Sequence, residues 1–222
     1  MEKKIFCVIP AYNEEKNISQ VIVLVRPLVN KVVVVDDCSS DQTYESAKKQ
    51  NVVVLRHIIN RGQGAALQTG DEYALRHGAD IIVHFDADGQ FIAEEIKDLV
   101  RPIAEEDYNA VFGSRFLGRK SNMPWFKKNI IMPVARLVNR IIIGSKFTDP
   151  QCGFRAFSRL AAKNIKIDQD RMAHASEILF KTNKNKLKIK EVPVTVIYKE
   201  FGQNFRGGAK IIKDLFFGKI IQ

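Results

Sequence analysis

Apolar residues in the first half of the chain come in short runs that stop at acidic or polar clusters. Residues 4–9, 32–35, 52–55, 80–85 and 110–113 are rich in β-branched and aromatic side chains, and they predict five short strands. The segments between them predict helices over 15–28, 40–50, 64–77 and 93–106, with Asn13, and then Ser40 or Asp41, as candidate N-caps. Strands alternating with helices imply an α/β fold. The sheet should be mostly parallel, with helices on both faces.

The pattern changes near Gly118. Residues 118–129 are basic and irregular and hold the single tryptophan, Trp125, beside Phe126. Residues 130–143 predict a helix with Val134, Leu137, Val138 and Ile141 on one face and Arg136 and Arg140 on another. Residues 209–221 predict a C-terminal amphipathic helix, with Ile212, Leu215, Phe216 and Ile220 set against Lys210, Lys213 and Lys219. The expected organisation is one domain over 1–208, whose first half, 1–117, looks like a nucleotide-binding scaffold and whose second half, 118–208, looks like recognition apparatus for a second substrate, followed by the helix at 209–222.

The 222 residues suffice for a substantial core, and the 45% hydrophobic and 27% charged fractions are those of a globular protein. No apolar run is long enough to span a bilayer, and the first residues enter a strand too soon for a signal peptide. The net charge of +10 favours a polyanionic partner without choosing one. Nucleic acid is disfavoured, because no helix-turn-helix, zinc or RNA-binding signature accompanies the charge. Cys7, Cys38 and Cys152 give neither a disulfide framework nor a zinc spacing, which fits a reducing cytosol.

Three polar clusters follow three predicted strands: Pro10-Ala-Tyr-Asn-Glu14, Asp36-Asp37-Cys-Ser-Ser-Asp41 and Asp86-Ala-Asp-Gly-Gln90. Strand C-termini share one edge of a parallel sheet, so the clusters should converge there. Two carboxylates one residue apart, Asp86 and Asp88, repel each other unless a cation lies between them. Mg²⁺ and Mn²⁺ bridge such oxygens to substrate phosphates.

These clusters, with Asn60-Arg-Gly-Gln-Gly64, resemble the family 2 glycosyltransferases of the GT-A fold. Asp149-Pro-Gln-Cys-Gly-Phe-Arg155 is similar to the polyprenyl-phosphate branch of that family, typified by dolichyl-phosphate mannosyltransferase. The likeness runs from about Ile5 to Lys210. It implies that Pro10, Tyr12 and Glu14 line a base pocket, and that Asp37, helped by Asp36, bonds the base or ribose. It also implies that Asp86 and Asp88 hold a divalent metal, Mg²⁺ or Mn²⁺, on the donor diphosphate, with Gln90 completing the shell. Arg115, Arg155, Arg206 and Lys210 would meet a phosphate, that of the acceptor or, for Arg115, alternatively the donor diphosphate. Arg206-Gly-Gly-Ala-Lys210 resembles a basic stretch that closes over the active site. Asp88, Arg115 and Asp149 are the expected catalytic groups, Asp149 as a base or as an orienting group for Arg or Lys. Glu177 is a further acidic candidate. Gly62 and Gly64 read as a phosphate loop or, preferably, as a tight turn with close helix packing.

The resemblance implies inverting, metal-dependent transfer from a nucleoside-diphosphate sugar to a polyprenyl or dolichyl phosphate. GDP-mannose is the expected donor, with UDP-glucose or UDP-N-acetylglucosamine as the alternatives. A phosphate acceptor is already anionic and needs little general base, whereas a saccharide acceptor needs one. A saccharide-using relative is the competing enzyme; the Gln-x-x-Arg-Trp signature of the processive synthases is missing at Trp125. A binding module without turnover is the other competitor, and the intact Asp86, Asp88 and Asp149 speak against it. The expected setting is the cytoplasmic face of a membrane, held peripherally by the basic helices or by a membrane-anchoring partner protein.

Overall fold

The computed structural model describes residues 3–118 and 147–197. The helices expected at 130–143 and 209–221, and Trp125, Arg206 and Lys210, lie outside the described residues.

The first strand, β1 (Ile5–Ala11), is buried on both faces. Cys7, Ile9 and Ala11 enter one core layer and Phe6 and Val8 the other, the period-2 alternation of a central strand. Its neighbour β2 (Lys31–Asp36) does the same with Val32 and Val34 against Val33 and Val35. Each such valine removed from water contributes about 1.5–3 kcal/mol. Pro10 lacks an N–H, yet β1 is central. Val8 O accepts from Phe85 N, so Pro10, two residues on, points to the same side. There β4 (Ile81–His84) has already ended, its last register pair being Val8 with His84. The missing donor therefore leaves no ladder bond unmade.

The remaining strands are β3 (Val53–Arg56), β5 (Ala110–Ser114), β6 (Arg155–Ser158) and β7 (Ile189–Pro193), in the sheet order β3-β2-β1-β4-β6-β5-β7. All run parallel except β6, which is antiparallel to β4 and β5. One sheet thus draws strands from both expected halves. The helices are α1 (Ile18–Val25), α2 (Thr43–Lys48), α3 (Gln63–Arg76), α4 (Ile96–Glu105), α5 (Arg159–Asn164) and α6 (His174–Lys184). Helix α3 lies close on β1: a Cβ on Gly70 would fall 2.2 Å from Val8 Cγ1.

The first two helices start three residues later than their composition predicts. The expected cap residues bond across the sheet edge instead. Asn13 adopts a left-handed φ of 56°, and its Oδ1 accepts from Ser40 N at 2.9 Å and Ser40 Oγ at 3.2 Å. Ser39 Oγ accepts from Asn13 N at 2.9 Å, and Thr43 Oγ1 from Glu14 N at 2.7 Å. These bonds tie the loop after β1 to the loop after β2.

Candidate active site

The C-terminal ends of β1, β2, β4, β5 and β7 lie along one edge. Because β6 runs backwards, its first residue, Arg155, lies at that edge too, paired with His84 on one side and Phe112 on the other. The Asp149–Phe154 segment therefore arrives beside the loop after β4. The contact is close: a Cβ on Gly153 would fall 2.6 Å from Asp86 Oδ2.

Asp86 is half-buried and accepts from Gln63 Nε2 at 2.8 Å through Oδ1. Burial, and then the charge of Asp88, push its pKa up to about 6, against the opposing pull of Arg155, His84 and the Gln63 bond. Glu14 is raised as well, by burial first and then by Asp88 and Asp41, while Asn17 lowers it. Asp88 thus feels Glu14 and Asp86 together. Asp88 Oδ1 accepts from Gln90 N at 2.9 Å, which shapes the turn, and Gln90 O accepts from Ile197 N at 2.9 Å.

This arrangement fits a divalent cation shared with a substrate. Two carboxylates converge at a cost that positive charge would relieve. No three metal-ligating side chains among the described residues surround one point. Mg²⁺ commonly takes one or two carboxylates and completes its shell with phosphate oxygens and water. Asp86 and Asp88 would be its protein ligands.

Asp37 is buried and engaged. Its Oδ1 meets His57 Nδ1 at 2.7 Å and accepts from Arg61 N at 2.9 Å, and its Oδ2 accepts from Gly62 N at 2.6 Å. His57 Nε2 meets Thr69 Oγ1 at 2.9 Å, so the imidazole is held at both nitrogens. Asp36, expected at the nucleotide, is instead fully buried at the end of β2. Its Oδ2 pairs with Arg56 Nε at 3.1 Å, and its Oδ1 is enclosed without a partner. Pro10 is buried within β1, whereas Tyr12 is half-exposed on the rim.

Arg115 follows β5 and forks onto Asp149. Its Nε donates to Oδ2 at 2.6 Å, its Nη2 to Oδ1 at 2.7 Å, and its backbone N to Oδ2 at 3.0 Å. Side-chain exposure is 10% for Arg115 and 0% for Asp149, so the pair is strongly charge-assisted. Proton abstraction by Asp149 would require breaking this fork. The orienting role is the one its geometry fits.

Arg155 is a correction. Expected on the acceptor phosphate, it is 1% exposed inside the sheet, where the β6 register places it. Its Nε donates to Cys152 O at 2.7 Å, and its guanidinium carbon lies 6.0 Å from the Phe112 ring centroid. Burial works against its charge, and Cys152, Asp86 and Asp149 counter that. It is a counter-ion beneath the site. Glu177 is likewise outside the site: it accepts from Asp168 N and Gln169 N and pairs with Lys181 at 2.7 Å.

Gly62 and Gly64 are packing glycines. Cβ atoms there would fall 2.5 Å from Asp170 O and 2.0 Å from Gln169 O. Gly62 also has φ +112°, and Ala65 N donates to Asp170 O at 3.1 Å.

Gln63, Gly153, His57 and Glu191 were not singled out from the sequence. Gln63 and Gly153 stand inside the quoted motifs, so position alone could have raised them. Nothing local marks His57 or Glu191, whose partners are 20 and 43 residues away.

A family model described as glycosyl transferase family 2 matches residues 6–166. The chain belongs to that family. It is 37% identical over 245 residues to the UDP-N-acetylglucosamine–dolichyl-phosphate N-acetylglucosaminyltransferase of Methanococcus voltae, covering 99% of this chain and 97% of that protein. It is 28% identical to the polyprenol monophosphomannose synthase of Mycolicibacterium smegmatis, over 94% and 83% of the two chains. The structure of glucosyl-3-phosphoglycerate synthase from Mycobacterium tuberculosis, solved with Mn²⁺, uridine diphosphate and phosphoglyceric acid, superposes with a TM-score of 0.73 at 21% identity, over 96% of this chain and 77% of that one. That likeness establishes the fold. The mostly parallel sheet flanked by helices is that of the GT-A glycosyltransferases, and this family 2 member is an enzyme of the hexosyltransferase type.

Proposed function

We propose that this glycosyltransferase moves a sugar from a nucleoside-diphosphate sugar to a polyprenyl phosphate, with Mg²⁺ or Mn²⁺ held by Asp86 and Asp88. The observation that carries the reading is the meeting of two groups at one edge. The loop after β4 brings two mutually repelling carboxylates, and the Asp149 turn, packed on Asp86 through Gly153, brings the Arg115 fork. Bound there, the cation would neutralise charge on the departing diphosphate.

The chain's own residues supply the rest. Gln63 orients Asp86. Asp149 fixes the Arg115 guanidinium, which would steer the acceptor phosphate at the end of β5. A phosphate oxygen would then form the bond to the anomeric carbon as the bond to the leaving diphosphate breaks, with inversion. The acceptor carries no proton that must be removed, which suits a site whose buried carboxylate is committed to an arginine. The basic residues Arg206 and Lys210 would add to the acceptor side, and the net charge of +10 suits attachment at an anionic membrane surface on its cytoplasmic face.

A second reading of the donor is favoured by Asp37. A carboxylate offers about four acceptor positions. His57, Arg61 N and Gly62 N take three of them. One position suits the single ring N–H of uracil better than the paired N–H groups of guanine. With the higher identity to the Methanococcus voltae relative, this favours UDP-N-acetylglucosamine over the GDP-mannose expected from sequence.

Nucleotide binding followed by calorimetry tests the metal. UDP and GDP should bind at least tenfold more tightly with Mn²⁺ than with chelator, and Asp88→Ala should remove that gain. An equal gain in Asp88→Ala would sink the metal assignment.

A further inference from the structure

Glu191 lies on β7, register-paired with Phe112 of β5, and faces the turn that carries Asp149. Its carboxylate spends nearly all its contacts on that turn. Thr148 N donates to Oε1 at 3.0 Å and to Oε2 at 2.9 Å, Thr148 Oγ1 donates to Oε1 at 3.0 Å, and Asp149 N donates to Oε1 at 3.2 Å. Thr148 Oγ1 also meets Ser114 Oγ at 2.6 Å, and Ser114 Oγ accepts from Phe116 N at 3.2 Å. The residues either side of Arg115 and the residue before Asp149 are thus tied into one clasp.

We propose that Glu191 is a positioning residue for transfer: it fixes the Thr148–Asp149 backbone so that the Asp149 carboxylate meets the Arg115 fork. The inference rests on the proposed role of Arg115, but its structural half stands alone. What matters is reach and acceptor position. Oε1 accepts three of the four bonds, so an amide oxygen in its place can keep the clasp. A carboxylate one methylene shorter cannot reach it. Glu191→Gln should therefore behave better than Glu191→Asp. If Glu191 acted through its negative charge, the order would reverse.

The test uses the full chain. The Arg115 Nε–H, observed by ¹⁵N NMR and identified by its loss in Arg115→Lys, should exchange slowly because it rests on Asp149. In Glu191→Asp its exchange should accelerate about tenfold or more, while Glu191→Gln stays near wild type. In transfer assays with UDP-N-acetylglucosamine, UDP-glucose or GDP-mannose and polyprenyl phosphate, kcat should fall about a hundredfold in Glu191→Asp with the donor KM unmoved, and Glu191→Gln should retain most of the rate. Unchanged Nε–H exchange in Glu191→Asp, or a faster Glu191→Asp than Glu191→Gln, would overturn the proposal. If the wild type transfers no sugar, the proposed function fails, and the exchange measurement still decides Glu191. If Glu191→Asp does not fold, Thr148→Val removes only the bridging hydroxyl, and its Nε–H should exchange severalfold faster. Wild-type exchange in that variant would count against the clasp.

Discussion

At Asp149, Asp86 and Arg155, three charges are settled by their neighbours. Asp149 is neutralised by a fork and Asp86 is left partly uncompensated, while Arg155 lies under both. Behind them His174 is kept neutral. Burial, and then Arg155, push its pKa down from 6.5 to about 4, although its Nδ1–H donates to Arg171 O at 2.8 Å. The unfolded chain takes up a proton on this ring as pH falls below 6.5, and the folded chain does not until about 4. Folding stability contributed here is present above 6.5 and is lost as pH falls through that window, by on the order of 3 kcal/mol. Asp86 acts in the opposite sense between 3.8 and about 6, where the folded chain holds the extra proton. The difference between wild type and His174→Gln isolates the histidine. Urea unfolding at pH 7 and pH 4.5 should show the smaller acid loss in His174→Gln, and equal losses would contradict a neutral buried ring. The carboxylates of the site were legible because two stand one residue apart after an apolar run. Asp36 and Arg155, expected at the nucleotide and at the acceptor phosphate, lie buried at strand ends; the sequence reads a charged residue there as a ligand contact. Register decides instead whether it lies above the sheet or within it.

At the scale of elements, β1 to β5 were readable as short apolar runs rich in β-branched and aromatic residues, with β2 and β4 running into aspartate. Strand β6 was not. Its four residues begin with a buried arginine, and its direction is set by pairing with β4 and β5 rather than by local pattern. Strand β7 carries two charged residues in succession, Lys190 and Glu191, so it shows no period-2 pattern and takes its place from parallel pairing with β5. The glycines at the start of α3, Gly62 and Gly64, show a further element-level constraint, since the 169–171 backbone passes against them. Gly64→Ala should destabilise the protein by about 3 kcal/mol, because a methyl there meets Gln169 O at 2.0 Å and His174 Cβ at 2.9 Å and no flexible side-chain end can yield. Chemical denaturation would read it, and a loss below about 0.5 kcal/mol would mean that the loop moves aside freely.

Over the whole molecule, one sheet edge gathers loops from both ends of the sequence. The first half brings the Asp37 loop and the Asp86–Asp88 turn. The second half brings Asp149 through an antiparallel strand and steadies it with Glu191. No helix among the described residues is long and apolar enough to cross a membrane. The most direct measurement is transfer itself. Purified protein is incubated with Mn²⁺ or Mg²⁺, a polyprenyl phosphate and each labelled sugar nucleotide in turn. Label should pass into the organic phase with one donor, UDP-N-acetylglucosamine foremost, and should require both the metal and the intact Asp88. No organic-phase label from any donor, despite tight nucleotide binding, would contradict the assignment of a polyprenyl phosphate as acceptor.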